Sequence, residues 1–406
     1  MKKYAVILCD GMPDYKISKL NNKTPLEAAG TPNIDFLARR ARIGMVKTVP
    51  EGYPPGSDVA NLSVMGYDPA LYYTGRSPLE AVSMGVHLDE ADVAFRCNLV
   101  TLSEEPSEFG QKVMIDYSAD EISTSEAALL IEEVNKRLGS KIFEFYAGIS
   151  YRHLMVWKGG VEEIELTPPH DISDRKITDY LPRGREAQRL SALMEESHKF
   201  LPLHPVNKAR VERGQYPANS IWFWGQGRKP GLTSFKEKFG LDGSVISAVD
   251  LIKGIGICAG MEVVDVPGAT GNIDTDYVGK ARAALRELEK GRDFVYLHIE
   301  APDEAGHRGE MENKIRAIEE IDEKIVGEML KGMEIFTDFR IMVLSDHPTP
   351  LKIKTHTAEP VPFLIYDKCA QVKGKAACFS EEEASKTGLF INSGPELMDY
   401  FLQTLL

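Results

Sequence analysis

The sequence predicts an α/β fold, in which a mostly parallel sheet carries helices on both faces and a smaller α+β domain is inserted. Two observations support this class. Apolar runs of strand length alternate with amphipathic helical segments towards both ends of the 406-residue chain, which is typical of helices packed on a parallel sheet. Between them, strand-like runs are separated by polar, proline-containing loops. We therefore predict a discontinuous outer domain, residues 1–88 and 226–406, and an inserted domain, residues 89–225.

The outer elements follow one another in a regular order. YAVILCD, residues 4–10, is an apolar strand ending in a carboxylate, and residues 24–41 have helical spacing of their apolar positions. GSDVANLSVMG, residues 56–66, predicts a short helix stopped by Gly66. Nearer the other end we predict two helix–strand pairs and a last strand: DTDYVGKARAALRELEKG with DFVYLHIE, ENKIRAIEEIDEKIVGEML with FRIMVLSDH, and PVPFLIY.

Charge and cysteine content exclude several classes of protein. A net charge of −13 argues against binding to nucleic acid or an anionic membrane, because both reward a surplus of Lys and Arg. The five cysteines are scattered and lack a C-x-x-C pair, which does not favour a disulfide framework or a zinc knuckle. The apolar run of residues 4–9 is too short for a signal peptide or a membrane span. We therefore predict a cytoplasmic protein.

Candidate metal ligands lie just past the ends of predicted strands. In open α/β sheets this edge is where ligands bind. Taken singly, each side chain has an ordinary alternative, since an Asp in a D-G pair forms turns and a lone His hydrogen-bonds at the surface. Three aspartates and three histidines together favour a site. These residues are Asp10, Asp303, His307, Asp346, His347 and His356.

The chemistry of these ligands indicates the kind of metal site. Carboxylates and imidazoles without thiolates suit Mn²⁺, Zn²⁺ or Mg²⁺ more than a structural zinc site. Six ligands are enough for two ions. A pair of ions about 3.5 to 4 Å apart stabilises both the attacking and the leaving oxygen of a phosphoryl transfer. The sequence therefore predicts a two-metal site for phosphoryl transfer.

Ser57 is the candidate nucleophile of that site. It begins a predicted helix, where unpaired N–H groups and the helix dipole favour an anion, and a metal bound to its oxygen would favour the alkoxide. Asn61, four residues later, lies on the same helix face and could donate to a phosphoryl oxygen. The alternative is that Ser57 is an ordinary N-cap residue.

Nine segments, taken together and in order, resemble one enzyme family. They are LCDGMPD, PPGSDVANLSVMGYDP, TGRSPLEA, DVAFRCNLVTL, HPVN, GATG, APDEAGH, LSDHPTP and THTAEPVPFLI. On these motifs the chain resembles the cofactor-independent phosphoglycerate mutases of the archaeal type, within the alkaline phosphatase superfamily. The resemblance covers nearly the whole chain and implies an alkaline-phosphatase-like outer domain.

The resemblance also implies ligands and a reaction. One divalent metal, Mn²⁺ by preference, would be bound by Asp303, His307 and His356, and a second by Asp10, Ser57, Asp346 and His347. Ser57 would take the phosphoryl group from 3-phosphoglycerate and return it to the other hydroxyl, giving 2-phosphoglycerate without a bisphosphate cofactor. The insert would bind the glycerate, and its best matches are Arg152, His170, Asp171 and Arg210. An arginine fork suits a carboxylate or a phosphate.

Two alternatives to the mutase remain open at this point. Related sequences include kinases for small amino-alcohol acids, so the same site could transfer phosphate from ATP to homoserine or, as a phosphatase, to water. A non-catalytic metal-binding protein is the other alternative, although the complete ligand set and Ser57 argue against it. The sequence does not indicate an oligomeric state.

Overall fold

A computed structural model describes residues 2–370, 372 and 376–403 of the chain. Its strands, in chain order, are β1 Lys3–Cys9, β2 Arg42–Val46, β3 Val93–Leu102, β4 Met114–Asp116, β5 Phe143–Ile149, β6 Arg152–Trp157, β7 Ile164–Glu165, β8 Arg183–Gly184, β9 Ser220–Gly227, β10 Gly243–Ile246, β11 Glu262–Val264, β12 Phe294–Ile299, β13 Phe339–Leu344, β14 Val361–Asp367 and β15 Phe390–Ile391.

Helices separate most of these strands. In chain order the α-helices are α1 Pro25–Ala28, α2 Pro32–Ala38, α3 Ser57–Val64, α4 Pro69–Tyr72, α5 Ser77–Ser83, α6 Thr124–Leu138, α7 Ala187–Phe200, α8 Pro205–Glu212, α9 Phe235–Phe239, α10 Asp250–Cys258, α11 Tyr277–Glu289, α12 Ala301–Arg308, α13 Met311–Glu320, α14 Gly327–Met333, α15 Glu381–Lys386 and α16 Gly394–Leu402. A π-helical turn, Ile321–Val326, joins α13 to α14.

The first of two compact units is built from the described residues of the ranges 1–73 and 231–406. Its eight-stranded sheet has the order β11-β10-β12-β1-β13-β14-β2-β15. The strands from β11 to β13 are parallel, whereas β14 is antiparallel to both of its neighbours. Since β12, β1 and β13 are parallel and adjacent, their carboxyl ends meet at one edge of the sheet.

Helices cover both faces of this sheet, which confirms the predicted fold class. On one face, Ile7 and Leu297 share a buried apolar core with Ala281 of α11 and Ile318 of α13. Successive residues of a strand point to opposite faces, so Tyr296 of β12 points the other way, where its hydroxyl contacts α3. Fully burying one aliphatic side chain, such as that of Ile7 or Leu297, stabilises the fold by about 1.5–3 kcal/mol.

The second unit, Thr74–Pro230, contains a separate antiparallel sheet. Strand β3 lies at its centre and pairs with β4, β6 and β9, while β5 pairs with β6. The apolar sides of α6 and α7 share a buried core with these strands, through residues such as Leu130, Leu190 and Phe223. The sheet and its helices form an α+β unit.

This unit begins earlier than the predicted insert of residues 89–225. The physical reason is α5, whose Ala81 packs with Val86, Leu88 and Ala94 in one small apolar cluster. That cluster ties the segment before residue 89 to β3. Within the part of the chain that the structure describes, no helix is long and apolar enough to span a membrane.

Candidate metal centre

The first group of converging side chains is Asp303, His307 and His356. Asp303 and His307 lie one turn apart on α12, which follows β12 directly, so they share one face of the helix. His307 Nε2 lies 3.2 Å from Asp303 Oδ2, and His356 Nε2 lies 3.4 Å from Asp303 Oδ1. The two Nε2 atoms are 2.8 Å apart. Ligand atoms of all three side chains therefore point into one small volume.

Backbone carbonyls orient both imidazoles of this group. His307 Nδ1 lies 3.0 Å from the carbonyl oxygen of Lys354, and His356 Nδ1 lies 2.8 Å from that of Pro55. A carbonyl oxygen only accepts, so each Nδ1 carries a proton and donates it. The Nε2 atoms are therefore the ones presented to Asp303. A ligating histidine in a metal site is typically held in this way by its other nitrogen.

The second group follows β1 and β13 at the same edge of the sheet and comprises Asp10, Asp346 and His347. His347 Nε2 lies 3.3 Å from Asp346 Oδ2 and 3.7 Å from Asp10 Oδ1. Asp346 Oδ1 accepts hydrogen bonds from the backbone N–H of His347, at 2.9 Å, and of Gly11, at 3.2 Å. These bonds leave Asp346 Oδ2 facing the imidazole. All three ligands are almost completely buried.

Gly11 allows the two groups to come together. Its φ of +62° is a left-handed conformation that a side chain disfavours. A Cβ at this position would lie 2.6 Å from the Cα of Asp303, so there is no space for one. The D-G pair at the end of β1 is therefore required by close packing.

Ser57 is placed beside this second group by α3. It is the first residue of the helix, and its Oγ lies 3.0 Å from His347 Nε2. The preceding Gly56 occupies the N-cap position, without a side-chain capping bond. The alternative of an ordinary N-cap serine therefore does not describe Ser57. Its hydroxyl lies where the first N–H groups of a helix lack partners within the helix.

The protonation of these groups depends on burial and on their neighbours. Burial, helped by the negative charges of Asp346 and Asp303, raises the pKa of Asp10 well above its usual range. A hydrogen bond to Asp303 raises the pKa of His307 to about 9. For Asp303 itself burial opposes ionisation, but the hydrogen bonds from His307 and His356 outweigh it and hold its pKa well below the usual range. Burial lowers the pKa of His347.

These side chains fit divalent cations. Among the described residues, no group hydrogen-bonds to Oδ1 of Asp10, although this atom is buried. A buried carboxylate oxygen without a partner costs free energy, and a bound cation would remove that cost. The ligand atoms of Asp10, Asp346 and His347 lie within 4.8 Å of one another, as do those of Asp303, His347 and His356. Oxygen and imidazole donors suit Mn²⁺, Zn²⁺ and Mg²⁺.

Asn61 is buried beneath the centre, and its amide is already occupied. Its Nδ2 donates to the carbonyl oxygen of Ser57 and to Oδ2 of Asp346, each at 2.9 Å. Its Oδ1 accepts from the hydroxyl of Tyr296 at 2.7 Å. Both N–H groups of the amide are thus used, so the geometry favours a positioning role over the predicted donation to a phosphoryl oxygen.

In the second unit, three of the four predicted substrate residues lie at the surface. Arg152 begins β6 and its guanidinium lies 5.5 Å from the ring centre of Tyr151. His170 and Asp171 are exposed in the short helix Pro169–Ile172. The ring of His170 lies 5.2 Å from that of Trp224.

Arg210, the fourth, is placed differently. It is 1% exposed, and its guanidinium donates to Glu126 Oε2 at 2.8 Å, to the carbonyl oxygen of Ala119 at 2.6 Å and to that of Tyr216 at 3.0 Å. These bonds connect α8 to α6 and to the loop before it. The arrangement gives Arg210 a structural role and does not favour the predicted contact with substrate.

Two arginines that sequence reasoning missed, Arg76 and Arg96, lie close to the predicted residue His170. Arg96 of β3 places its guanidinium 4.7 Å from the ring centre of Trp224 and donates to Glu80 Oε2 at 2.8 Å. Arg76 donates to the other oxygen of Glu80 at 3.1 Å. Burial lowers the pKa of His170, and the charges of Arg96 and Arg76 add to that shift. We call these side chains the arginine cluster: Arg76, Arg96, Arg152, His170 and Trp224.

Comparison with known proteins gives the family. A protein of Geobacter sulfurreducens named "probable 2,3-bisphosphoglycerate-independent phosphoglycerate mutase" is 55% identical over 400 residues, covering 98% of this chain and 99% of that one. A mutase of the same name from Methanosarcina barkeri is 52% identical and covers 98% of each chain. The chain belongs to this family.

Further matches agree with this mutase family. The family model described as 2,3-bisphosphoglycerate-independent phosphoglycerate mutase matches residues 38–207. Among solved structures, the PH0037 protein of Pyrococcus horikoshii matches with a TM-score of 0.83 and 29% identity, over 99% of this chain and 97% of that one. The cofactor-independent phosphoglycerate mutase of Thermoplasma acidophilum matches with a TM-score of 0.69 and 28% identity, over 99% of both chains. The protein is therefore an enzyme of the cofactor-independent mutase type.

Three further residues contact the centre and were not predicted. Glu300 lies with Asp10 and Asp303 in a third group of carboxylates within 4.8 Å, and it follows β12, a signal that could have identified it. His298 Nε2 lies 2.9 Å from Asp10 Oδ2, and the hydroxyl of Thr349 donates to Asp303. His298 is inside a strand, so its position in the sequence gives no such signal.

Proposed function

We propose that the protein interconverts 3-phosphoglycerate and 2-phosphoglycerate through a phosphoserine on Ser57 at a two-metal centre. The observation that carries this is the position of the Ser57 hydroxyl, 3.0 Å from His347 Nε2 and at the start of a helix. A nucleophile beside a group of metal ligands suits phosphoryl transfer better than simple metal storage. Membership of the mutase family supports the choice of substrate.

In the proposed centre, one cation is bound by Asp303, His307 and His356, and the other by Asp10, Ser57, Asp346 and His347. Two divalent ions, Mn²⁺ by preference and Zn²⁺ or Mg²⁺ as alternatives, would supply positive charge that favours the Ser57 alkoxide and balances the phosphoryl oxygens. The unpaired Oδ1 of Asp10 and the converging imidazole nitrogens support this assignment.

The transfer consists of two balanced steps. In the first, Ser57 Oγ forms a bond to phosphorus while the bond to the 3-oxygen of glycerate breaks, and that oxygen takes up the proton that Ser57 has lost. In the second, after the glycerate has reoriented, its 2-oxygen forms a bond to phosphorus while the bond to Ser57 Oγ breaks, and Oγ takes up the proton that the 2-hydroxyl has lost. The N–H groups at the start of α3 are suited to the phosphoryl oxygens in both steps.

We propose that the arginine cluster of the second unit binds the carboxylate of the glycerate. Arg76 and Arg96 both donate to the carboxylate of Glu80, and Arg152 adds a third guanidinium group close to Arg96. A planar guanidinium pairs with a carboxylate through two parallel hydrogen bonds. His170 and Asp171, at the edge of this cluster, would contribute to orientation. We also propose a cytoplasmic location, consistent with free cysteines at all five positions.

The test is a set of three parallel reactions of the purified protein with Mn²⁺. The first contains 3-phosphoglycerate without any bisphosphoglycerate, the second contains ATP with homoserine, and the third is assayed for inorganic phosphate released from 3-phosphoglycerate. We expect 2-phosphoglycerate in the first reaction, followed by ³¹P NMR, and no comparable turnover in the others. Phosphohomoserine or free phosphate as the main product would replace the mutase with the kinase or the phosphatase.

A further inference from the structure

Tyr296 occupies an unusual place for a residue in the middle of a core strand. It lies in β12, two positions before His298, and its side chain is fully buried. Its hydroxyl donates a hydrogen bond to Asn61 Oδ1 at 2.7 Å. A phenylalanine would fill almost the same space, so packing alone does not require the hydroxyl.

The hydrogen bonds of Asn61 can run in only one direction. Its Nδ2 faces the carbonyl oxygen of Ser57 and Oδ2 of Asp346, and both of these atoms only accept. The amide nitrogen must therefore face them, which turns Oδ1 towards Tyr296. Oδ1 also only accepts, so the hydroxyl of Tyr296 must donate. The tyrosine thus supplies the one donor that the amide oxygen needs in this orientation.

The amide in turn orients the ligand that lies beside the nucleophile. Asp346 Oδ1 is held by backbone N–H groups, whereas its Oδ2 is held by Asn61 and faces His347 Nε2 at 3.3 Å. The same amide holds the first carbonyl group of α3, which belongs to Ser57. One side chain therefore connects the metal-binding oxygen to the residue that carries the nucleophile.

We propose that Tyr296 is a positioning residue for phosphoryl transfer, acting through Asn61 to fix Asp346 Oδ2 relative to Ser57. The proposal rests on the mutase function proposed above. Without the hydroxyl, Asn61 Oδ1 would lose the donor that now satisfies it in a buried position, and this cost would hold the amide less firmly in place. The hydrogen bond from Asn61 to Asp346 Oδ2 would then be weakened, with no loss of substrate contacts.

The experiment compares Tyr296→Phe with Tyr67→Phe in the full-length protein. Tyr67 is a matched control, because it is also fully buried in the first unit and its hydroxyl donates to a backbone carbonyl, that of Thr233, at 2.8 Å. Two quantities are measured: the affinity of the metal-free protein for Mn²⁺ by calorimetry, and kcat and KM for 3-phosphoglycerate.

We expect Tyr296→Phe to lower kcat and Mn²⁺ affinity by about 10- to 100-fold each, the usual effect of removing a partner of a metal ligand, while KM stays unchanged. Tyr67→Phe should change none of these three quantities. Combining Tyr296→Phe with Asn61→Ala should give no greater loss than Asn61→Ala alone, because the tyrosine acts only through the amide.

Equal effects of Tyr296→Phe and Tyr67→Phe would overturn the proposal. It would also be overturned if the variant that combines Tyr296→Phe with Asn61→Ala lost kcat or Mn²⁺ affinity by the product of the two single losses. If Tyr296→Phe does not fold, Asn61→Ala is compared with Ser63→Ala, another buried residue of α3. Unchanged Mn²⁺ affinity and kcat in Asn61→Ala would then reject the proposal. A wild-type protein that binds Mn²⁺ but makes no 2-phosphoglycerate would reject the mutase function, while the Mn²⁺ titrations would still test the role of Tyr296.

Discussion

The metal-ligand residues of the first unit and the arginine cluster of the second unit are built in opposite ways. The former are carboxylates and imidazoles that converge, most of them buried, and one buried oxygen, Asp10 Oδ1, has no hydrogen-bond partner among the residues that the structure describes. In the latter, Arg76 and Arg96 already donate to one carboxylate, that of Glu80, and the guanidinium of Arg96 lies over the ring of Trp224. The first region is suited to a bound cation, which would balance its carboxylates. The arginine cluster already has its positive charges in place without a ligand.

This difference has an energetic reason. Burial, together with the negative charges of Asp346 and Asp303, raises the pKa of Asp10, and a bound cation would oppose that shift. Guanidinium groups remain charged at all physiological pH values and are held in place by Glu80, so the arginine cluster needs no partner to keep its shape. We therefore expect mutations in the first region to affect metal binding and turnover, and mutations in the second to affect substrate affinity.

The largest expected effect follows from removing the nucleophile. Ser57→Ala should lower kcat by about 10³-fold or more, because no phosphoserine can form. Binding of Mn²⁺ should be partly retained, since the other ligands remain. Conversion of 3-phosphoglycerate is measured together with Mn²⁺ titration. Ser63→Ala, on the same helix, is the control that should keep full activity, and substantial turnover by Ser57→Ala would refute the covalent mechanism.

The second effect is the pH dependence of metal binding. Because Asp303 raises the pKa of His307 to about 9, His307 carries a proton at pH 7 that the metal must displace. Affinity for Mn²⁺ should therefore rise with pH up to about 9, by roughly tenfold per pH unit for one displaced proton. Calorimetric titrations at pH 7, 8 and 9 measure this slope. His307→Asn should bind more weakly and with a smaller slope, and an equal slope would show that another group titrates.

A third and smaller effect concerns the arginine cluster. Arg96→Lys keeps the charge but loses the planar fork that holds Glu80 and stacks on Trp224. We expect kcat/KM for 3-phosphoglycerate to fall by about 30-fold, mainly through a higher KM, with Mn²⁺ affinity unchanged. Steady-state kinetics and the same titration separate the two quantities. A changed Mn²⁺ affinity with an unchanged KM would contradict the proposed division of roles.

The smallest kinetic effect is expected at Arg210. Lysine at this position cannot make all three hydrogen bonds of the guanidinium, so Arg210→Lys should lower the free energy of unfolding by about 2 kcal/mol. KM and kcat of the folded fraction should not change. Urea unfolding and kinetics below the unfolding transition measure both. A large increase in KM without loss of stability would restore Arg210 as a substrate residue.

The sequence predicted the first region far better than the second. Asp303 and His307 are four residues apart after one strand, and Asp346 and His347 follow another. Because the carboxyl ends of parallel strands meet at one edge of the sheet, these four residues are brought together independently of the loop conformations. Arg96, by contrast, lies inside β3 among apolar residues and reads as part of a core strand. Its role depends on packing against Trp224 and Glu80, which come from distant segments of the chain.

The predictions that the structure does not favour have the same cause. Arg210 was assigned to substrate by motif position and Asn61 by its place on the helix of Ser57, but each is fully buried and hydrogen-bonded to protein partners. The strand PVPFLIY was predicted correctly, whereas its antiparallel pairing in β14 depends on the path of the chain before it. Local pattern therefore predicted the elements and the side chains that converge at the strand ends, while burial and pairing between distant segments required the structure.

The central claim is that Ser57 carries the phosphoryl group during turnover, and it can be tested directly. The protein is mixed with Mn²⁺ and 3-phosphoglycerate, quenched in acid within the first turnovers, digested and analysed by mass spectrometry. We expect phosphate on the peptide that contains Ser57, and none in the same peptide from Ser57→Ala. Active turnover with no phosphate on Ser57, or with phosphate on another residue, would contradict the account.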